Sequence, residues 1–262
     1  MLLLILPFAA RGDDAGFSTY RSTASEVRIT FFATGAANQP INNVSKDDFA
    51  IVDGDTVVRE FRSLARSEET TLDAVILIDS SESVATRLPA TVKEVLHIVS
   101  QSQPEVGGRI SIVSFSGLQP VVLCVGNCDT PDAGQKLLSV KASGPTPLFD
   151  AVAYGVNLLS RRQASAVRPV VILFSDGDDT ISRISWLDAL HSLLDSGTLL
   201  YALDLNDSAR SRGSTVLRRM AEATGGRYFS PQQNAAAVLR SVFEDLRTSW
   251  VVTYELPNTA LG

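Results

Sequence analysis

Asp79, Ser81 and Ser83 stand in the run Asp-Ser-Ser-Glu-Ser (79–83), an acid and two hydroxyls with the spacing D-x-S-x-S. Three oxygen side chains on one short loop suit a hard divalent cation, which takes oxygen ligands and no thiolate. Two further oxygen donors have comparable settings. Thr146 lies in Gly-Pro-Thr-Pro (144–147) ahead of a helical pattern, and Asp176 opens Asp-Gly-Asp-Asp (176–179) behind a second apolar run. Singly these signals are weak, because Asp, Ser and Thr cap helices constantly. Jointly they make one candidate site.

The elements that must position these residues are legible as pattern. Asp79 follows Leu72–Ile78, an apolar run of the length and β-branched content of a strand buried on both faces. In an open α/β sheet, ligand chemistry collects outside the carboxyl ends of the strands. Strand and helix then alternate. Helical spacing runs over 88–103, with Val92, Val95, Leu96 and Val99 inward and His97 solvated. Strands follow at 109–115 and 120–125. Their four-residue link, Ser116–Gln119, is too short for a parallel crossover and predicts an antiparallel neighbour.

Helices are expected at 133–140 and at 148–160, the latter with Pro147 near its first turn. A buried strand at 169–175 precedes a helix at 184–195, with Leu187, Leu190 and Leu194 inward and His191 packing at the edge of that stripe. A strand at 198–205, a helix at 215–223, a short strand at 227–229 and a helix at 234–248 complete the alternation. The last helix turns Ala237, Val238, Val242 and Leu246 inward. The expected class is α/β: a doubly wound, mostly parallel sheet with one antiparallel edge strand and helices on both faces.

Ahead of this domain (71–249), residues 17–66 read as a small β lead-in. Val27–Phe31 alternates, Asn38-Gln39-Pro40 makes a turn, and Phe49–Val52 returns through Asp53-Gly54-Asp55 as a hairpin with Thr56–Phe61. Such a piece has too little core to stand alone. Arg66–Thr70 reads as a charged linker. Residues 250–262 read as a strand, from Trp250 to Glu255, and a tail that can pair with the lead-in.

Met1–Ala10 is uncharged and largely apolar, like the core and end of a secretory signal without its basic leader. Residues 1–16 are therefore read as a truncated signal segment, and the expected location is exported: periplasmic, envelope-associated or secreted. The bland alternative is an apolar terminus. Ten residues are too short to span a bilayer, and no membrane span is expected elsewhere.

Composition bounds the partners. A net charge of −6 over 262 residues, with no basic stripe, speaks against a nucleic-acid partner. Cys124 and Cys128 cannot build a zinc site without help, and neither His97 nor His191 is near in sequence. In an exported protein they would close a small disulfide loop; in a cytosolic one they would be two thiols. Arg11-Gly12-Asp13 and the glycosylation-like triplets Asn43-Val44-Ser45 and Asn206-Asp207-Ser208 are read as chance matches.

The order D-S-S-E-S, then G-P-T-P-L-F-D-A, then F-S-D-G-D-D resembles the metal-ion-dependent adhesion site of von Willebrand factor type A domains. The resemblance covers roughly residues 71–248 and matches all five family ligand positions: Asp79, Ser81, Ser83, Thr146 and Asp176. The lead-in around Asp47–Gly54 is similar to that of a bacterial exported subgroup, whose members continue with more strands after the last helix. The resemblance implies a divalent cation at the top of the sheet. Ser81 and Ser83 would touch it directly, Thr146 directly or through water, and Asp79 and Asp176 largely through water. Magnesium suits a site that keeps several waters; manganese and calcium suit the same donors. The implied partner is a protein offering a Glu or Asp carboxylate to the cation. Glu82 is expected to face solvent beside the metal. Asp178 and Asp179 tune the site or initiate the next helix, and the helix-initiating role is favoured.

Two alternatives compete with this non-enzymatic binding module. A magnesium-dependent phosphoryl-transfer hydrolase of the haloacid-dehalogenase type also carries an Asp after its first buried strand. It needs a second carboxylate two residues on, and that position holds Ser81. The other alternative is a scaffold that keeps the fold and binds no metal; an intact ligand set argues against it.

Overall fold

A computed structural model of the chain describes residues 2–5, 26–33, 35, 41, 43–66, 71–106, 108–160, 167–231 and 233–255. The chain divides into two compact units, Met1–Glu69 with Arg247–Gly262, and Thr70–Leu246.

The first unit begins with strands β1 (Leu2–Ile5), β2 (Glu26–Phe31), β3 (Phe49–Asp53), β4 (Thr56–Val58) and β5 (Ser63–Arg66). β1 lies within the segment that reads as an export signal and pairs in parallel with β3, Leu2 opposite Phe49. The β3–β4 hairpin turns at Gly54, whose φ of 58° is a left-handed conformation that glycine adopts without steric cost. The strand expected over 56–61 stops at Val58. The separate strand β5 then takes in Arg66, the first residue of the expected linker. The turn at Asn38–Pro40 and the Arg11–Asp13 tripeptide lie outside the described residues.

The second unit contains, in chain order, β6 (Thr71–Asp79), α1 (Leu88–Val106), β7 (Arg109–Phe115), β8 (Val121–Cys124), α2 (Pro131–Leu138), α3 (Leu148–Ser160), β9 (Val167–Ser175), α4 (Trp186–Asp195), β10 (Leu199–Asp204), α5 (Arg212–Ala223), β11 (Tyr228–Phe229) and α6 (Ala235–Thr248). The strand order is β11-β10-β9-β6-β7-β8, parallel throughout except for the antiparallel edge strand β8. Alternating residues of the central strand serve two cores, as strand geometry requires. Ala74, Ile76 and Ile78 face the side covered by α1, α2 and α6, against Val95, Leu137 and Leu239. Val75 and Leu77 face the side covered by α3, α4 and α5, against Val152, Leu193 and Leu217.

Caps correct several helix boundaries. α2 starts at Pro131 because Thr130 Oγ1 accepts from the Ala133 N–H, and a proline there forfeits no intrahelical bond. The Ser185–Asp188 capping box starts α4 at Trp186. The buried face of α4 is Ala189, Leu190 and Leu193, whereas Leu187 and Leu194 are 44% and 46% exposed and His191 is exposed too. Leucines at 187, 190 and 194 satisfy helical spacing as well as the true stripe does. What spacing omits is the small Ala189, through which the helix meets the sheet. In α6, Ala237 is likewise exposed, and Ala235, Leu239 and Phe243 join Val238, Val242 and Leu246 inside. Cys124 and Cys128 are disulfide-bonded, with Cα atoms 5.5 Å apart. Among the described residues no helix is long and apolar enough to cross a membrane.

The chain re-enters the first unit as β12 (Trp250–Glu255), which lies antiparallel between β2 and β5. Phe31, Phe49, Ile51, Val58, Phe61, Trp250, Val252 and Tyr254 share one core. Phe49 and Phe61 stack with ring centroids 4.9 Å apart, and the Tyr254 hydroxyl donates to Asp53 Oδ2 over 3.0 Å.

Polar groups are also buried low in the second unit. Arg168, near the start of β9, donates from Nη1 to Leu246 O in the last turn of α6 over 2.8 Å, satisfying a carbonyl that has no partner within its helix. Burial pulls its guanidinium down to about 10. The Tyr201 hydroxyl, on β10, is buried with no hydrogen-bond partner among the described residues, and burial pushes it up to about 12. An unpaired buried hydroxyl costs about 1–3 kcal/mol. Tyr201→Phe is therefore expected to raise the unfolding free energy in urea by about 1 kcal/mol; a fall of that size shows that the hydroxyl contributes to stability.

Candidate metal centre

β6 leads through β7 to β8 on one side of the sheet, and the chain then crosses to β9, β10 and β11 on the other. The carboxyl ends of β6 and β9 thus flank the point where strand order reverses, the place where doubly wound sheets bind ligands. Asp79 is the last residue of β6, and Asp176 follows the last residue of β9.

Asp79 is fully buried, and its carboxylate is shared between two loops. Oδ1 accepts from the Ser81 N–H over 2.9 Å, which bends the chain after the strand, and Oδ2 accepts from Ser175 Oγ over 2.6 Å. Ser175 Oγ accepts in turn from the Gly177 N–H over 3.0 Å, so one hydroxyl joins both strand ends. A single 3₁₀ turn, Glu82–Val84, then carries the first loop. Ser81 is buried, Ser83 is exposed, and their Oγ atoms lie 3.1 Å apart.

Backbone bonds bring Thr146 to this loop from three directions. Ser143 N donates to Ser80 O over 2.9 Å and Glu82 N to Gly144 O over 3.0 Å. Gly117 N, in the β7–β8 turn, donates to Pro145 O over 2.8 Å. Thr180 N donates to Thr146 O over 2.9 Å, while Thr180 Oγ1 accepts from Thr146 N over 2.8 Å. Thr146 is buried, yet it lines a cavity of about 440 Å³ together with Glu82, Ser83, Gly144, Pro145, Asp178 and Thr180. Glu82 is exposed at that cavity.

The residues after Asp176 stay in a loop as far as Ser185, so Asp178 and Asp179 initiate no helix, contrary to the favoured expectation. Asp179 accepts from Ser182 Oγ, and that hydroxyl accepts from Phe149 N and Asp150 N over 3.0 and 3.1 Å. Asp150 answers by accepting from Arg183 N and Ile184 N over 3.1 and 3.2 Å. The loop is thus tied to the first turn of α3. Asp178 lines the cavity, where desolvation and then the charge of Asp176 hold its carboxyl above the ordinary range.

The sequence reading thus named five residues, and the structure gathers them on three loops at one end of the sheet. Partners that it missed include Ser175, Asn206 and Gly213. Asn206 Nδ2 donates to Asp176 O over 2.5 Å, so this side chain is engaged inside the fold at a triplet read as a chance glycosylation match. A Cβ on Gly213 would fall 2.1 Å from Asp176 O, and one on Gly177 2.3 Å from Gly213 O. Only glycines permit that approach of backbone to backbone. Among the described residues, no group of three or more His, Cys, Asp or Glu is placed to hold a metal. The gathered donors are mostly hydroxyls.

Residues 74–178, a stretch holding all five of these donors, match the family model of the von Willebrand factor type A domain. The fold is that of a type A domain. The type A fold is shared by a von Willebrand factor type A protein from Catenulispora acidiphila, 14% identical with a TM-score of 0.54 over 71% of this chain and 48% of that one. An aerotolerance-related membrane protein from Bacteroides fragilis is 16% identical, with a TM-score of 0.53 over 67% of this chain and 98% of that one. The pilus adhesin SpaC from Lactobacillus rhamnosus GG is 16% identical, with a TM-score of 0.53 over 69% of this chain and 30% of that one. This chain therefore matches less than half the length of the first and the last of these. No curated protein matches the sequence.

Within the type A unit, burial pushes the Asp79 carboxyl up from 3.8 to about 6, against the opposing pull of the Ser175 and Ser81 hydrogen bonds. Between those values the folded protein holds a proton that the unfolded chain has released, so stability falls as pH rises from 3.8 to about 6. Urea unfolding with chelator present should show the midpoint declining across that window. Asp79→Asn should flatten the decline, and an unchanged slope in the variant would assign it to another group.

Proposed function

We propose that this chain is a non-enzymatic protein-binding module that works through a divalent cation held by Asp79, Ser81, Ser83, Thr146 and Asp176. The observation that carries this reading is the pair of hydroxyls on the loop fixed by Asp79. Neighbouring oxygen ligands of an octahedral magnesium ion lie about 3.0 Å apart, from metal–oxygen distances of about 2.1 Å. Ser81 Oγ and Ser83 Oγ are 3.1 Å apart. Thr146 and Ser83 also line the same cavity, which gives the site room for water and for an incoming group.

The chemistry of the donor set supports the partner class. Three of the five donors are neutral hydroxyls, and with Asp79 and Asp176 acting largely through water little formal charge reaches the ion directly, so an open position can take a Glu or Asp side chain from a partner protein. Magnesium fits a site that keeps waters; manganese and calcium fit the same oxygen donors. A phosphoryl-transfer reaction would need an acid–base carboxylate at position 81. Ser81 stands there, with its Oγ beside that of Ser83.

An exported chain would suit an adhesive role, and a disulfide between Cys124 and Cys128 is consistent with an oxidising compartment. Two of the similar structures are a membrane protein and a pilus adhesin.

Calorimetric titration of the full chain with magnesium and with manganese tests the reading. About one equivalent should bind, and binding should vanish in Asp79→Ala and Ser81→Ala while circular dichroism shows both variants folded. A wild-type chain that binds neither ion is a metal-free scaffold, and the proposal falls.

A further inference from the structure

Asp204, the last residue of β10, is a buried carboxylate with a full set of donors. Oδ1 accepts from Asn206 N over 2.8 Å and from Asn206 Nδ2 over 2.7 Å. Oδ2 accepts from the Tyr228 hydroxyl over 2.6 Å and from Ser214 Oγ in the first turn of α5. Asn206 is thereby held at both its main chain and its side chain. The same Nδ2 donates to Asp176 O over 2.5 Å, and Asn206 O accepts from Arg87 Nη2 over 3.2 Å. Arg87 lies four residues beyond Ser83 on the first loop, and its Nη1 donates to Pro231 O over 3.0 Å. Gly213 also packs its backbone directly against Asp176 O.

These contacts converge on the main chain of one residue of the candidate centre. We infer that Asn206, oriented by Asp204, is a positioning residue for Asp176: it fixes the height of that residue's backbone and so tunes the affinity and selectivity of the cation site. The inference rests on the metal-binding reading above. Residues that orient ligands through a hydrogen bond characteristically alter metal affinity by about 10–100-fold when removed. Magnesium demands near-ideal octahedral geometry, whereas calcium tolerates displaced ligands. A loosened Asp176 therefore penalises magnesium more than calcium, a split that a general loss of stability does not produce.

The test is titration of magnesium and of calcium, separately, into the full chain and three variants. Asn206→Ala is expected to weaken magnesium roughly tenfold while calcium changes less than about threefold. Gly213→Ala, whose Cβ would press directly on Asp176 O, should do the same, and it serves where Asn206→Ala does not fold. Tyr228→Phe removes a donor from Asp204 without touching the Asn206–Asp176 bond, and should leave the magnesium-to-calcium ratio unchanged. Unchanged magnesium affinity in both Asn206→Ala and Gly213→Ala overturns the inference and leaves the metal site standing. Equal losses for both ions, matched in Tyr228→Phe, also overturn it by assigning Asn206 a purely structural role. A wild-type chain silent to both ions removes the metal reading and this inference with it.

Discussion

The hydrogen bond from Ser175 Oγ to Asp79 Oδ2 is the constraint on which the candidate centre depends. A carboxylate at the end of a fully buried strand carries a desolvation cost that only close donors offset. The sheet supplies one of them by register. β6 and β9 are parallel neighbours, Ile78 opposite Phe174, so their next residues, Asp79 and Ser175, reach the sheet's end side by side. Ser175 then passes the constraint on through the Gly177 N–H, and Asp79 does the same through the Ser81 N–H. Two loops that are nearly a hundred residues apart in sequence are fixed by one carboxylate and one hydroxyl.

The third loop is positioned differently, because Thr146 belongs to no strand. It is held by main-chain bonds to its neighbours: Ser80 and Glu82, Gly117 and Thr180. This division has a chemical consequence. Main-chain groups orient this loop, and Ser83 and Thr146 line the cavity. On the proposed reading, neutral hydroxyls at that cavity suit a cation that keeps a position for an incoming group.

How much of this was legible in the sequence follows the range of the interaction. The strands read well, since β6 and β9 are apolar runs with abrupt ends, and the five oxygen donors are candidates because they lie at or just beyond those ends or at a helix head. Helix faces read poorly where several leucines compete: α4 buries Ala189 and Leu193 and leaves Leu187 and Leu194 out. Asp178 and Asp179 look like helix-initiating acids until the hydrogen bonds to the first turn of α3 are seen to hold the segment as a loop. Ser175, Asn206 and Gly213 carry no local signal at all. Each matters only through an atom on another loop, and nothing in a serine after a strand or a glycine in a helix's first turn announces it.

The connectivity of the first unit adds a further constraint. β12 lies between β2 and β5, with Trp250 opposite both Phe31 and Arg66. The sheet is therefore incomplete until residues from both sides of the type A unit are present, and that unit is an insertion between β5 and β12. Insertion is tolerated when the points of departure and return are close together. Here they are paired residues of adjacent strands, with the Arg66 guanidinium 5.9 Å from the centroid of the Trp250 ring. The loop that must close is long, but closure cost grows only slowly with length. An inserted unit with its own two-sided core turns that loop into a compact body, which leaves the pairing of β12 with β2 and β5 a contact between residues far apart in sequence.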